Sequence, residues 1–312
     1  MQTTLLGLVR RLSLWLVALF FVGVFVYYIV LGLAFYQKID DNPDFQATDV
    51  TPGGSAAVDM ANALITREVE THAWVANDPW FVPSVWLTRT PAYQQGIVYA
   101  LSRFAISMTD SLARQRGSSA VDPDLDKASG LLKYSGDVWV FNFKTSILPT
   151  ATSEQQYKSA RKSLIAFNQR LASGQATFER RADNLQAAIE SISADLGSQS
   201  AIISDHIEKK GGGLLEFESN TVFFNAKGRL YAYYLILREL GRDFAPIIKD
   251  KDMENVWNNA LGSLREAAEL NPLIIFNGRG DSQFLPCHLC AEGFWLLRAR
   301  TQLREVASII TK

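Results

Sequence analysis

The sequence predicts an all-α fold: an N-terminal transmembrane helix followed by an extracytoplasmic helical bundle containing a long coiled-coil-like helix or helical hairpin. Three observations carry this expectation. Leu12 to Tyr36 is a run of twenty-five residues without a charged side chain. Beyond it, apolar residues recur at three- and four-residue steps, the period of one helix face. Glycine and proline then cut those rows into segments of helical length, at Gly117, Gly174, Gly211 to Gly213, Pro246 and Pro272.

The apolar run comes first. As a helix it would be roughly 37 Å long, enough to cross a hydrocarbon core of about 30 Å with some tilt. Arg10 and Arg11 before it, with Gly32 and Ala34 near its end, also fit a cleaved signal peptide. Its length favours a retained anchor, because a signal core spans only about 7–15 apolar residues. Trp15 near one end and Tyr27, Tyr28 and Tyr36 toward the other suit the two interfaces, although the mid-span tyrosines could equally face a partner helix. Arg10 and Arg11 precede the run and Lys38 alone follows it closely, so the positive-inside bias predicts a cytoplasmic N-terminus. The expected location is a bacterial inner membrane, single-pass, with the main domain in the periplasm.

The remainder, about 275 residues, is one large domain or two small ones. Over the whole chain 31 basic stand against 32 acidic side chains, a balance that offers no electrostatic footprint for nucleic acid, and no partner of that class is expected. The expected organisation is a cytoplasmic tail over 1–11, the transmembrane helix over 12–36, a linker over 37–54 and the helical domain over 55–312. The linker reading rests on the Asp, Asn, Pro and Gly content of QKIDDNPDFQATDVTPGG.

Ser55 suits the cap of a helix running to about Trp74, with Ala57, Met60, Ala61, Leu64 and Ile65 on one face. Next, WVANDPWFVPSVWLTRTP spaces Trp74, Trp80 and Trp86 by six, and Pro79, Pro83 and Pro91 forbid a continuous helix. Two readings apply: an irregular segment pinned by its tryptophans to a helical core, or an interaction surface of Trp74, Trp80 and Trp86 that dips into a leaflet or stacks on a sugar. Tyr93 to about Arg116 is an amphipathic helix through Ile97, Leu101, Phe104, Met108 and Leu112. Asp122, Asp124 and Asp126 resemble the start of a calcium loop, but Lys127 and Lys133 occupy the positions of the turn glycine and the bidentate glutamate. DVWVFNF, Asp137 to Phe143, is too short to distinguish strand from buried helical turn.

The stretch 154–210 has coiled-coil-like spacing, first through Tyr157, Leu164 and Phe167, then through Leu185, Ile189, Ile192, Leu196 and Ile203. The pattern lapses at Gly174, which leaves one interrupted helix or two antiparallel ones. Gly211, Gly212 and Gly213 end it, after Lys209 and Lys210 at the negative end of the dipole. Two further helices follow, over about 221–241 and about 251–270.

RADNLQAAIESISADLGSQSA (Arg181–Ala201), FFNAKGRLYAYYLILRELGRDFAPII (Phe223–Ile248) and GFWLLRARTQLREV (Gly293–Val306) resemble an uncharacterised bacterial family of single-span membrane proteins, the domain of unknown function 2333. The resemblance covers most of the chain after the anchor and implies a shared helical fold. It carries over no catalytic or binding residue.

Both cysteines lie in PCHLC, at CxxC spacing, just before an apolar helix ending near Ile310. At a helix start the Cys287 thiolate would be stabilised by the dipole, so Cys287 and Cys290 are redox candidates. No alternation of strands and helices like that of a thioredoxin fold surrounds them, and incidental thiols are the competing reading. His288 adds one metal ligand, with His72 and His206 remote in sequence, so no metal or other cofactor is expected. NGRGDS reads as a turn.

The expected function is that of a non-enzymatic envelope protein, anchored in the bilayer through 12–36, acting as scaffold or accessory subunit toward a protein partner or a second copy of itself. The alternatives are a membrane-tethered thiol-disulfide oxidoreductase using Cys287 and Cys290, and a lipid- or glycan-binding module using the tryptophans.

Overall fold

The computed structural model describes residues 2–36, 39–112, 121–141, 148–211, 217–280 and 282–311. Expectations that rest on Lys38, Gly117, Phe143, Gly212, Gly213 and Asp281 lie outside them. The all-α expectation is borne out: ten α-helices and no named strand occur among the described residues. They are α1 (Gln2–Phe25), α2 (Ala56–Thr66), α3 (Arg89–Ser107), α4 (Pro123–Leu132), α5 (Ser153–Ala172), α6 (Ala182–Lys210), α7 (Phe217–Asp243), α8 (Ala245–Asp250), α9 (Glu254–Glu269) and α10 (His288–Ile310). Arg10–Ala34 is long and apolar enough to cross a membrane, and most of its side chains are exposed.

The domain is built around α7. Phe223, Phe224, Leu230, Tyr231, Tyr233, Leu235, Ile236 and Leu237 are all completely buried, although they occupy every side of the helix. A helix apolar all round needs neighbours all round, and α2, α3, α6, α9 and α10 pack on it. The crossing with α3 is closest where two glycines face backbone. A Cβ at Gly96 would overlap the Asn225 carbonyl oxygen and stand 3.1 Å from Arg229 N. A Cβ at Gly228 would overlap the Tyr93 carbonyl oxygen and stand 3.2 Å from Ile97 N. Absence of side chains lets the two backbones touch there, as small residues do at close helix crossings.

The long stretch is two helices. Gly174, at φ +74°, carries the chain out of α5 in a left-handed turn that bulkier residues resist. The two stripes have different partners within the domain: α5 packs on α4 and α2, and α6 packs on α10. A heptad-like row states only that one face is apolar, and helices elsewhere in the chain cover these two faces.

The N-terminus of α2 is capped from the far end of α7. Asp243 accepts from Ser55 Oγ at 2.6 Å, Ala56 N at 3.0 Å and Ala57 N at 3.2 Å, placing a carboxylate at the positive end of the helix dipole. Burial raises its pKa, and these hydrogen bonds work in the opposite direction. Asp122, the first of the three aspartates spaced like a calcium loop, caps α4, and Arg170 bridges Asp122 and Asp124.

Candidate functional site beside the apolar helix

Beyond Phe25 the apolar helix continues in wider turns over Val26–Tyr36, and there it meets the domain. Pro79 and Pro83 keep residues 79–87 out of a continuous helix, and successive tight turns form instead. Val82 N donates to Pro79 O at 2.9 Å and Leu87 N to Ser84 O at 2.8 Å. Tyr27 Oη donates to Phe81 O at 2.8 Å, and Tyr28 Oη to Trp80 O at 2.9 Å. One helical turn on, Gly32 packs beneath Pro83 so closely that a Cβ would stand 2.8 Å from its carbonyl oxygen.

The three tryptophans separate. Trp74 is 3% exposed, donates through Nε1 to Gly136 O at 2.8 Å and stands edge-on to Tyr157, so it belongs to the core and takes no part in a surface. Trp80 and Trp86 are 77% and 72% exposed on the turn beside the apolar helix. Trp86 meets Tyr28 edge-on, and Phe81 meets Trp139. The six-residue spacing therefore marked no common environment.

Residues 39–54, expected to be a connector, form instead a strap laid along the domain. Tyr93 Oη donates to Asp40 O at 2.8 Å and Tyr231 Oη to Asn42 O at 2.8 Å, while Arg238 donates to Pro43 O at 2.8 Å and to Phe45 O at 2.6 Å. Lys227, completely buried, reaches Asp41 Oδ2 and Leu270 O, both at 2.6 Å. Polar residues that cannot form an apolar core can still be fixed when side chains of a buried helix bond their carbonyls.

Arg67, 5% exposed, lies under the strap, bonded to Glu68 at 2.8 Å and donating to Tyr231 Oη at 2.8 Å, with the Phe45 ring 4.6 Å from its guanidinium. Burial alone would lower its pKa. Glu68 and the two phenols Tyr93 and Tyr231 outweigh that, so the net direction is up and the guanidinium stays charged. Beside it, between strap, α2 and α5, opens a cavity of about 720 Å³ lined by Asp49, Asp59, Asn62, Arg67, His72 and Arg161 among others. Its walls carry both signs of charge, which suits a small polar solute rather than an apolar one.

Cys287 and Cys290 form a disulfide with Cα atoms 5.1 Å apart. Cys287 caps α10, its sulfur accepting from Cys290 N at 3.1 Å. His288 Nδ1 accepts from Phe276 N at 2.9 Å, which occupies one of its two ring nitrogens. Burial lowers the pKa of this histidine. Among the described residues, no group of three His, Cys, Asp or Glu side chains is placed to hold a metal ion. Two residues after Cys290, Glu292 is completely buried on the core stripe of α10, and neither carboxyl oxygen has a hydrogen-bond partner. Burial holds its pKa well above the ordinary carboxylate range, with Lys227 pulling the other way.

Sequence reasoning missed Lys227 and Glu292, although a signal existed: each is a charged residue standing in an otherwise apolar row. It also missed Tyr27, Tyr28 and Gly32 as the contact with the domain, because nothing in a span specifies what it meets.

No curated protein and no solved structure matches the chain. A family model described as an uncharacterised protein conserved in bacteria, domain of unknown function 2333, matches residues 11–212. The matched region contains the apolar helix, the strap, the tryptophan turn and Arg181–Ala201. Phe223–Ile248 and Gly293–Val306, which also resembled the family, lie beyond it. With well over half its length matched, the chain belongs to this uncharacterised bacterial family.

Proposed function

We propose that this protein is a non-enzymatic, membrane-anchored envelope protein that serves as scaffold or accessory subunit of a membrane complex. In this reading Arg10–Ala34 crosses a bacterial inner membrane, Arg10 and Arg11 keep the N-terminus cytoplasmic, and the helical domain lies in the periplasm. The observation that carries it is the double fastening of domain to anchor, through the strap on α7 and through Tyr27 and Tyr28 on the 79–87 turn. A domain on a free tether samples many orientations, whereas a fastened one presents a fixed face to neighbours in the same membrane, and ordering it in advance lowers the entropic cost of assembly. The test is the native mass of the complex extracted gently from its own membrane, with every co-purifying chain identified. A defined assembly, of copies of this chain or with a second protein, is expected. A lone monomer overturns the proposal.

A second reading, a membrane-tethered thiol-disulfide oxidoreductase, is favoured by one observation: the CxxC pair is joined and sits at the start of a long helix, where the dipole would stabilise a Cys287 thiolate on reduction. Thiol alkylation across a series of dithiol buffers tests it. A pair that stays joined throughout, or whose replacement by serine leaves the envelope's disulfide proteins unaffected, removes it.

A further inference from the structure

We propose that the 79–86 turn is a second membrane contact: Trp80 and Trp86, with Phe81 and Val85, insert into the boundary between headgroups and acyl chains of the leaflet that faces the helical domain. The inference rests on the reading of Arg10–Ala34 as a transmembrane helix, and it goes beyond it by assigning lipid as the partner of a surface in the folded domain.

Depth is the first argument. Taking Arg10 as the inner edge of the hydrocarbon, Tyr27 and Tyr28 stand about 25 Å above it along the helix and Gly32 about 30 Å. The hydrocarbon core is itself about 30 Å thick, so these residues lie at its outer edge. Trp80 and Phe81 are hydrogen-bonded to the two tyrosines, and Pro83 touches Gly32, so the turn lies at that same level beside the span. Whatever surrounds the helix there surrounds the turn.

Construction is the second argument. The inner side of the turn is fixed to the domain: Pro83 and Ser84 are buried, Ser84 bonds Asp78, and Asn77 Nδ2 donates to Val138 O at 2.8 Å and to Glu154 at 2.8 Å. Its outer side presents Trp80, Phe81, Val85 and Trp86 at 77%, 45%, 40% and 72% exposure. A braced turn that holds two indoles outward is a display rather than a frayed loop. Indole combines a large apolar face with one N–H donor, the combination enriched where hydrocarbon meets headgroups. No residue from 79 to 87 carries a charge that would oppose entry.

The test uses the full-length protein in phosphatidylethanolamine–phosphatidylglycerol vesicles containing lipids with a fluorescence quencher near the headgroup or near the bilayer centre. Trp15→Phe leaves Trp80 and Trp86 as the outward reporters, Trp80→Phe with Trp86→Phe leaves Trp15, and the triple variant gives the background of the remaining tryptophans. The expected result is a loss of emission in Trp15→Phe with the shallow quencher, beyond that of the triple variant, and a blue shift of its emission relative to protein in detergent-free buffer with amphipol. Loss confined to the Trp15 reporter, with Trp15→Phe indistinguishable from the triple variant, overturns the lipid contact and leaves the anchor standing. No quenching of Trp15 by either lipid overturns the anchor, and the lipid contact with it.

Discussion

The crossing of α3 and α7 makes a sharp prediction, because the same substitution should have opposite signs at different glycines. Alanine at Gly228 would place a methyl group on the Tyr93 carbonyl oxygen, and alanine at Gly96 would do the same to the Asn225 carbonyl oxygen. Each methyl would lie about 1 Å inside the roughly 3.3–3.6 Å at which carbon and carbonyl oxygen normally meet. Neither obstacle is a movable side chain, so the two helices must part by about that distance along the centre of the core. Overpacking of this kind costs about 3 kcal/mol at the upper end of its usual range. The better helix propensity of alanine returns about 1 kcal/mol, leaving a net loss of about 2 kcal/mol. For a domain of this size that lowers the unfolding midpoint by roughly 4–8 °C. Gly130 in α4 and Gly262 in α9 have nothing within 4 Å of a built Cβ, so alanine there should raise the midpoint through propensity alone. The assay is thermal unfolding of the full-length protein in mild detergent, followed by far-ultraviolet circular dichroism. The double variant Gly96→Ala with Gly228→Ala should lose less than the sum of the single losses, since helices parted once need not part twice. Midpoints for Gly96→Ala and Gly228→Ala at or above the wild-type value would refute the reasoning.

Three further predictions concern the site. Burial raises the folded-state pKa of Glu292 above its unfolded value of about 4.3. Its contribution is thus fully present below that pH and lost as pH rises, so Glu292→Gln should be more stable than wild type at neutral pH, with the gap closing toward about pH 4; an unchanged gap across a pH series would show that the carboxyl is not held neutral. Reducing the Cys287–Cys290 bridge opens a loop of sequence separation 3, too short to confine much chain entropy, so the loss should be about 2 kcal/mol or less and the domain should stay folded by circular dichroism. Arg238→Ala removes two donors to the carbonyls of Pro43 and Phe45, and limited proteolysis should then cut within 39–54 faster than in wild type, while equal rates would mean that the strap does not depend on this arginine.

Helix content was legible because it is a local property. The rows through Ile97, Leu101 and Phe104 and through Leu185, Ile189 and Ile192 appear as buried faces of α3 and α6, since apolar period and helix period coincide wherever one face meets a core. A lapse at Gly174 was legible for the same reason, and the left-handed turn there, a conformation that glycine adopts without strain, decided between one interrupted helix and two. Which helices cover the stripes of α5 and α6 was not legible, because a stripe does not name its partner. The tryptophan segment shows the same limit more sharply, as three residues of one type at one spacing divide between a sealed core at position 74 and an exposed turn at 80 and 86.

The sequence by itself determined that an apolar helix stands at the N-terminus, that the rest is helical, and where most helices start and stop, because each of these follows from side chains within a few turns of one another. Only the tertiary structure decided that residues 39–54 are a strap rather than a tether, that Lys227 is buried beneath it and Glu292 within the core, and that Tyr27 and Tyr28 grip the turn that carries Trp80. Those facts depend on contacts between residues separated by as many as 195 positions in the chain. Composition and periodicity are sums over neighbours in sequence, and they hold no record of which distant carbonyl a buried lysine or a tyrosine hydroxyl will reach.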